Sequence, residues 1–264
     1  MSFFSASLLT AGYGNGHVIK GVSFELNSGC LMGVLGANGS GKTTMLKAIC
    51  GILPHEGSCR LEQTRLESLS VRQMAKLCSY IPQRSGIGLD ISVLDVVLMG
   101  FNPQLGLLEH PTKAMRQTAM EVLGQVGLAE KAYTNYMHLS EGQKQLCMMA
   151  RTLVAGSKLL LLDEPESALD FRYRYQILSL LRNWVKQSQS SAIVTLHDPV
   201  LALNYCEHLL LLAEGTVLGM IHPQTDDLET MQQILSRIYG DVSLQYVCAK
   251  NGKRQLIMIN EDTL

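Results

Sequence analysis

The sequence predicts an α/β fold: a mainly parallel sheet covered by helices, preceded by a small antiparallel β subdomain and interrupted by an inserted α-helical subdomain. Three observations carry this. The short runs Leu31-Met32-Gly33-Val34-Leu35, Leu159-Leu160-Leu161-Leu162 and Ala192-Ile193-Val194-Thr195 are nearly all apolar, as strands buried on both faces are. The first of them runs straight into a glycine-rich loop, and Thr44-Met45-Leu46-Lys47-Ala48-Ile49 then has helical character. From 91 to 135 the apolar spacing becomes helical, with Ile91, Leu94, Val97 and Leu98 on one face and Ala119, Val122, Leu123 and Val126 repeating the pattern.

Taken in order, residues 3 to 35 hold short strand-like pieces separated by turn signals at Gly14-Asn15-Gly16 and Asn27-Ser28-Gly29. Residues 68 to 83 read as a helix (Leu69, Val71, Met74, Leu77) followed by a strand at Ser79 to Pro82. The stretch from 84 to about 154, punctuated by Pro103 and Pro111, reads as the helical insert. A helix near 173 to 187 separates the Leu159 and Ala192 strands. In the tail, Val242 to Lys250 and Arg254 to Asn260 flank Asn251-Gly252, a pair that tolerates positive φ and signals a β-hairpin. The expected organisation is a main domain over 1–215, with the helical subdomain inserted at about 84–154, and a C-terminal extension over 216–264.

Composition narrows the function. The 264 residues are 47% apolar and 17% charged, which is globular rather than disordered. The net charge of −1 lacks the basic surplus needed to grip a phosphodiester backbone, so nucleic acid is not expected as a partner. Seven cysteines, none in CxxC spacing, read as free thiols in a reducing compartment. The start Met1-Ser2-Phe3-Phe4-Ser5 lacks a secretory pattern, and the longest apolar runs are far below the ~20 residues of a membrane helix. The chain is therefore not expected to span the bilayer, which leaves it free to dock on a protein that does.

Gly36-Ala37-Asn38-Gly39-Ser40-Gly41-Lys42-Thr43 matches GxxxxGK[ST], with Thr44 next along. Glycines let successive N–H groups curve around phosphate oxygens where side chains would collide, and the following helix offers its positive end. Lys42 suits the β- and γ-phosphates of a nucleoside triphosphate, and the Thr43 hydroxyl suits Mg²⁺. The run Leu159 to Leu162 ends in Asp163-Glu164-Pro165, so Asp163 is a candidate for holding Mg²⁺ and Glu164 for polarising the attacking water as general base.

With Leu139-Ser140-Glu141-Gly142-Gln143 the set resembles the nucleotide-binding subunits of ABC transporters, whose signature reads LSGGQ. Glu141 stands where the family has glycine. The resemblance covers roughly residues 5 to 220 and implies a RecA-like P-loop NTPase core that binds ATP and Mg²⁺. It further implies a head-to-tail homodimer in which Ser140, Gly142 and Gln143 of one copy cap the nucleotide on the other. Gln83 resembles the glutamine that senses Mg²⁺, His197 the switch histidine that bonds γ-phosphate, and Ser167-Ala168-Leu169-Asp170 the loop crossing the dimer interface. Tyr13 falls where an aromatic stacks on adenine. Ser92 to Gly100 looks like the importer ATPases for iron–siderophore complexes, haem or cobalamin. That implies an integral-membrane permease as partner, indirectly a substrate-binding protein, and a peripheral cytoplasmic place on the inner face of the membrane. The alternative is a soluble ABC ATPase of repair, translation or cluster assembly.

Overall fold

The structure, a computed structural model, describes residues 2–83, 87–106, 108–167 and 169–262. The chain begins with β1 (Phe4–Tyr13), β2 (Gly16–Leu26) and β3 (Leu31–Leu35), followed by α1 (Lys42–Ile49), β4 (His55–Leu61), β5 (Thr64–Arg65), α2 (Val71–Leu77) and β6 (Cys78–Ile81). Three helices follow: α3 (Val93–Leu98), α4 (Lys113–Gln125) and α5 (Glu141–Val154). The chain returns through β7 (Leu159–Asp163), α6 (Phe171–Ser188), β8 (Ser191–Thr195), α7 (Pro199–Tyr205), β9 (His208–Ala213) and β10 (Thr216–Ile221). It closes with α8 (Leu228–Tyr239), β11 (Val242–Cys248) and β12 (Arg254–Asn260).

The central sheet has the order β10-β9-β3-β8-β7-β6, parallel except for the edge strand β10, which runs antiparallel to β9. A second, antiparallel sheet has the order β2-β1-β4-β5. In a strand, successive side chains point to opposite faces, and here both faces are buried. Leu31 and Leu35, Leu160 and Leu162, and Leu209 and Leu211 face a core shared with α3 to α8. Met32 and Val34, Leu159 and Leu161, and Leu210 and Leu212 face the other core, shared with α1 and the antiparallel sheet. Continuous apolar runs are the sequence of such strands.

Helix starts are fixed locally. Ser140 caps α5 in a reciprocal capping box with Gln143, Ser92 caps α3 through the Asp95 amide, and Thr112 caps α4 through the Met115 amide. Two expectations need correction. Ile91, counted into the helical period, lies before the Ser92 cap; its carbonyl instead accepts the Tyr136 amide at 2.9 Å. The helix and strand expected over 68 to 83 are α2, begun by a Ser70–Gln73 capping box, and β6, but Val71, counted on the apolar face, is 88% exposed. At 215 the chain is in the turn between β9 and β10, two strands paired through Thr216 and Ala213, and the central sheet runs to Ile221. The first residues of the insert, Arg84, Ser85 and Gly86, lie outside the described residues. In the tail, β11 pairs β12 from Val242↔Asn260 to Cys248↔Arg254, and Asn204 of α7 grips the Leu256 amide and carbonyl at 2.9 and 2.8 Å.

Candidate functional site

The site is built at the carboxyl ends of β3, β7 and β8, where loops leave a parallel sheet. After β3 the chain turns through Gly36, where a Cβ would stand 2.4 Å from the Leu212 carbonyl oxygen and 2.5 Å from Ser40 Oγ. Gly41, at φ 103°, starts α1 in a left-handed conformation that other residues adopt only with strain. Among the described residues, the amides of Gly39, Gly41, Lys42 and Thr43 donate to no protein acceptor. The first N–H groups of a helix lack intrahelical partners, so the loop is a cluster of free donors suited to an anion. A cavity of about 140 Å³ lies against it, lined by Val18, Asn38 through Thr44, and Glu164.

Lys42 is buried, and its Nζ donates to the carbonyl oxygens of Gly36 at 2.7 Å and Ala37 at 3.2 Å. Burial lowers its pKa, against the opposing pull of Glu164, Asp163 and Glu166. Thr43 Oγ1 donates to Asp163 Oδ1 at 3.1 Å. Asp163, the last residue of β7, is 2% exposed and also accepts from Thr195 Oγ1 at 2.9 Å and Tyr80 Oη at 3.3 Å. Both carboxylate oxygens are therefore oriented.

Glu164 follows with φ at 48°, in the left-handed region. That turn takes the residue out of the strand, and its N–H donates to Thr195 Oγ1 at 2.8 Å. A non-glycine residue held there costs about 1 kcal/mol or more, a strain that collects at functional sites. Its two oxygens are gripped from two loops. Gln83 Nε2, just past β6, donates to Oε2 at 2.5 Å, and His197 Nε2, just past β8, lies 2.7 Å from Oε1. The structure thus gathers Lys42, Thr43, Gln83, Asp163, Glu164 and His197 into one locale.

Other predicted residues lie elsewhere in the single chain. Tyr13, at the end of β1 and 54% exposed, lines a separate open pocket with Gly12, His17, Leu53 and Pro54 rather than the loop cavity. Ser140, Gly142 and Gln143 sit at the start of α5 and do not line that cavity. Ser140 and Gln143 spend their side chains on each other's backbone, Glu141 pairs with Lys144 at 2.8 Å, and a Cβ on Gly142 would meet the Tyr173 ring at 2.9 Å. Asp170 caps α6 through the Tyr173 amide, while Ala168 lies outside the described residues.

Sequence reasoning missed Tyr80, Val18, Glu166 and Thr195. Thr195 carries a signal: it is a hydroxyl closing an apolar run, fully buried, and it ties Asp163 to Glu164. Glu166, also 2% exposed, accepts the His197 amide at 3.1 Å.

The family model described as ABC transporter matches residues 19–167. The chain is 35% identical over 241 residues to the hemin import ATP-binding protein HmuV of Bordetella pertussis, covering 88% of this chain and 90% of that one. It is 33% identical over 199 residues to a protein of Helicobacter pylori named for iron chelatin transport ATP binding, covering 75% and 78%. Among solved structures it resembles a chain of an ABC transporter assigned to the metal-chelate type, in an inward-facing conformation, with TM-score 0.83, 26% identity and 99% of both chains covered. With the free amides of the phosphate loop, the buried Asp163 and the gripped Glu164 in one place, the match fixes the family: this chain belongs to the ABC transporters, as an ATPase subunit.

Proposed function

We propose that this chain hydrolyses Mg·ATP between two copies of itself to power uptake of a metal chelate, an iron–siderophore complex, haem or cobalamin, through a separate permease. The observation that carries the hydrolytic part is Glu164, held at 2.5 Å by Gln83 and at 2.7 Å by His197 on the rim of the phosphate-loop cavity. A base must be aimed before it can act, and two fixed contacts aim it.

The donor set fits Mg²⁺: the Thr43 hydroxyl, the Asp163 carboxylate and the Gln83 amide oxygen are all hard oxygen ligands. When bound, the ion supplies charge neutralisation at the β- and γ-phosphates. The chain's own residues do the rest. Lys42 Nζ, now on two loop carbonyls, moves to phosphate oxygens; the loop amides take the remaining anionic charge; Glu164 accepts the proton of the attacking water, and His197 steadies it. Ser140, Gly142 and Gln143 lie outside the cavity lined by this chain, which favours a second copy supplying them.

A groove of about 450 Å³ beside Gln83, lined by Tyr80, Ile81, Pro82, Met99, Met148 and Arg151 among others, offers the permease a seat that touches the exit of β6. Among the described residues no helix is long and apolar enough to cross a membrane, in keeping with a peripheral subunit on the inner face. The chelate as cargo, with its binding protein, rests on the names of the relatives.

The test is Glu164→Gln, assayed alone and reconstituted with the cognate permease. ATP binding persists, turnover falls by roughly 100-fold or more, and a closed dimer accumulates on size-exclusion chromatography. Turnover at the parent rate would remove Glu164 as the base. Uptake of radiolabelled haem or ferric siderophore by vesicles tests the cargo separately.

A further inference from the structure

Glu166 has no place in the mechanism above, yet it is as buried as Asp163, each 2% exposed. Its Oε1 accepts the backbone N–H of His197 at 3.1 Å, and its Oε2 is buried with no hydrogen-bond partner among the described residues. A buried carboxylate with an unpaired oxygen is costly. Packing alone would be better served by an apolar side chain.

The surrounding bonds show what the residue holds. The loop after β7 folds back on itself, with the Ser167 amide on the Glu164 carbonyl at 3.2 Å and the Leu169 amide on the Glu166 carbonyl at 3.1 Å. Thr195 fastens the same loop at its root, through Asp163 Oδ1 at 2.9 Å and the Glu164 amide at 2.8 Å. Beyond Thr195 the chain leaves β8, and the next side-chain tie between the two loops is Glu166 to the His197 amide. That residue's imidazole then reaches Glu164 Oε1 at 2.7 Å. A closed circuit results: Glu164 to Glu166 along the chain, Glu166 to the His197 backbone, and the His197 ring back to Glu164.

We propose that Glu166 is a positioning residue: by holding the His197 backbone it sets the imidazole against Glu164 and so fixes the carboxylate that faces the attacking water. This rests on the proposed roles of Glu164 and His197. Glu166 acts through His197 and touches no phosphate. An acceptor oxygen is what the position requires, so Gln serves and Leu does not.

The experiment has two readouts on the full chain. The first is the imidazole NMR resonance of His197 in nucleotide-free protein, assigned by His197→Ala. Glu166→Leu displaces that resonance, while Glu166→Gln keeps it near the parent position. The second is steady-state hydrolysis of Mg·ATP. Glu166→Leu lowers kcat about tenfold, the worth of one ordinary hydrogen bond, with KM changed much less, and Glu166→Gln recovers most of the loss. In a His197→Ala background, Glu166→Leu adds nothing further, as coupled residues in one network require. A folded Glu166→Leu protein with a parental resonance and a parental kcat overturns the proposal, as does additivity with His197→Ala. Should Glu166→Leu fail to fold, Glu166→Ala replaces it, and a Glu166→Gln protein as impaired as Glu166→Ala overturns the acceptor role. Parental hydrolysis by Glu164→Gln and His197→Ala sinks the catalytic reading instead, leaving the resonance to report the Glu166–His197 link on its own.

Discussion

Thr43 Oγ1 donates to Asp163 Oδ1 across 3.1 Å, joining the first turn of α1 to the last residue of β7. Two oxygen ligands proposed for the same cation are thus neighbours in the protein by itself, brought together by the pairing of β3 and β7 on either side of β8. Asp163→Asn keeps the shape but loses the charge. Its nucleotide affinity, read with a fluorescent ATP analogue, should lose most of its dependence on Mg²⁺, and turnover should fall by roughly 100-fold, in the range seen when metal-site groups are changed. Equal affinity with and without EDTA in the parent protein would refute this role for the pair.

Lys42 Nζ rests on the Gly36 and Ala37 carbonyls, so the ammonium is held within its own loop rather than in an ion pair. Removing it by Lys42→Ala should cost about 10- to 100-fold in ATP affinity, the scale of one charged hydrogen bond, measured by calorimetry. The fold should survive, since the remaining loop bonds are to backbone.

Gly36 is fixed by space. A Cβ there would press within 2.4 Å of the Leu212 carbonyl oxygen, a backbone atom that cannot swing away. Gly36→Ala should lower stability by about 1–3 kcal/mol through overpacking, seen as a reduced urea midpoint, and should weaken nucleotide binding by shifting the loop. A parental midpoint would show that β9 yields more easily than its paired position suggests.

Glu166 gives a pH signature. Burial raises its pKa, so the folded state prefers the protonated acid. A carboxyl raised in the folded state stabilises most below its unfolded pKa, about 4.3, and that contribution is lost as pH rises through the folded value. At neutral pH the carboxylate therefore costs stability. Glu166→Gln should raise Tm near pH 7.5, and the gain should shrink as pH falls toward 4.5. A gain that is constant across this range would mean the acid is not the source.

The legibility of the site followed its distance along the chain. Gly36 to Thr43 form one contiguous loop, and Asp163 and Glu164 are adjacent, so their types and spacing stood out. Gln83 and His197 were found through resemblance, since a single amide or imidazole after a strand is ambiguous. Thr195, Tyr80 and Glu166 were missed because their roles consist of bonds to residues at least 31 positions away, in one case to another loop's backbone. Periodicity misplaced Ile91 for a related reason: the Ser92 cap and the bond from Tyr136 outweigh a hydrophobic pattern at a helix start.

By itself the sequence determined the strands buried on both faces, the phosphate-binding turn and the acidic strand end, because each depends on local features: continuous apolar runs, glycine conformation and the residues that directly follow a strand. Only the tertiary structure decided that Glu164 would be clasped by Gln83 and His197, that Glu166 would hold the His197 backbone, and that the central sheet would run on through β10. These are long-range hydrogen bonds, and their partners become neighbours only once the parallel strands are aligned.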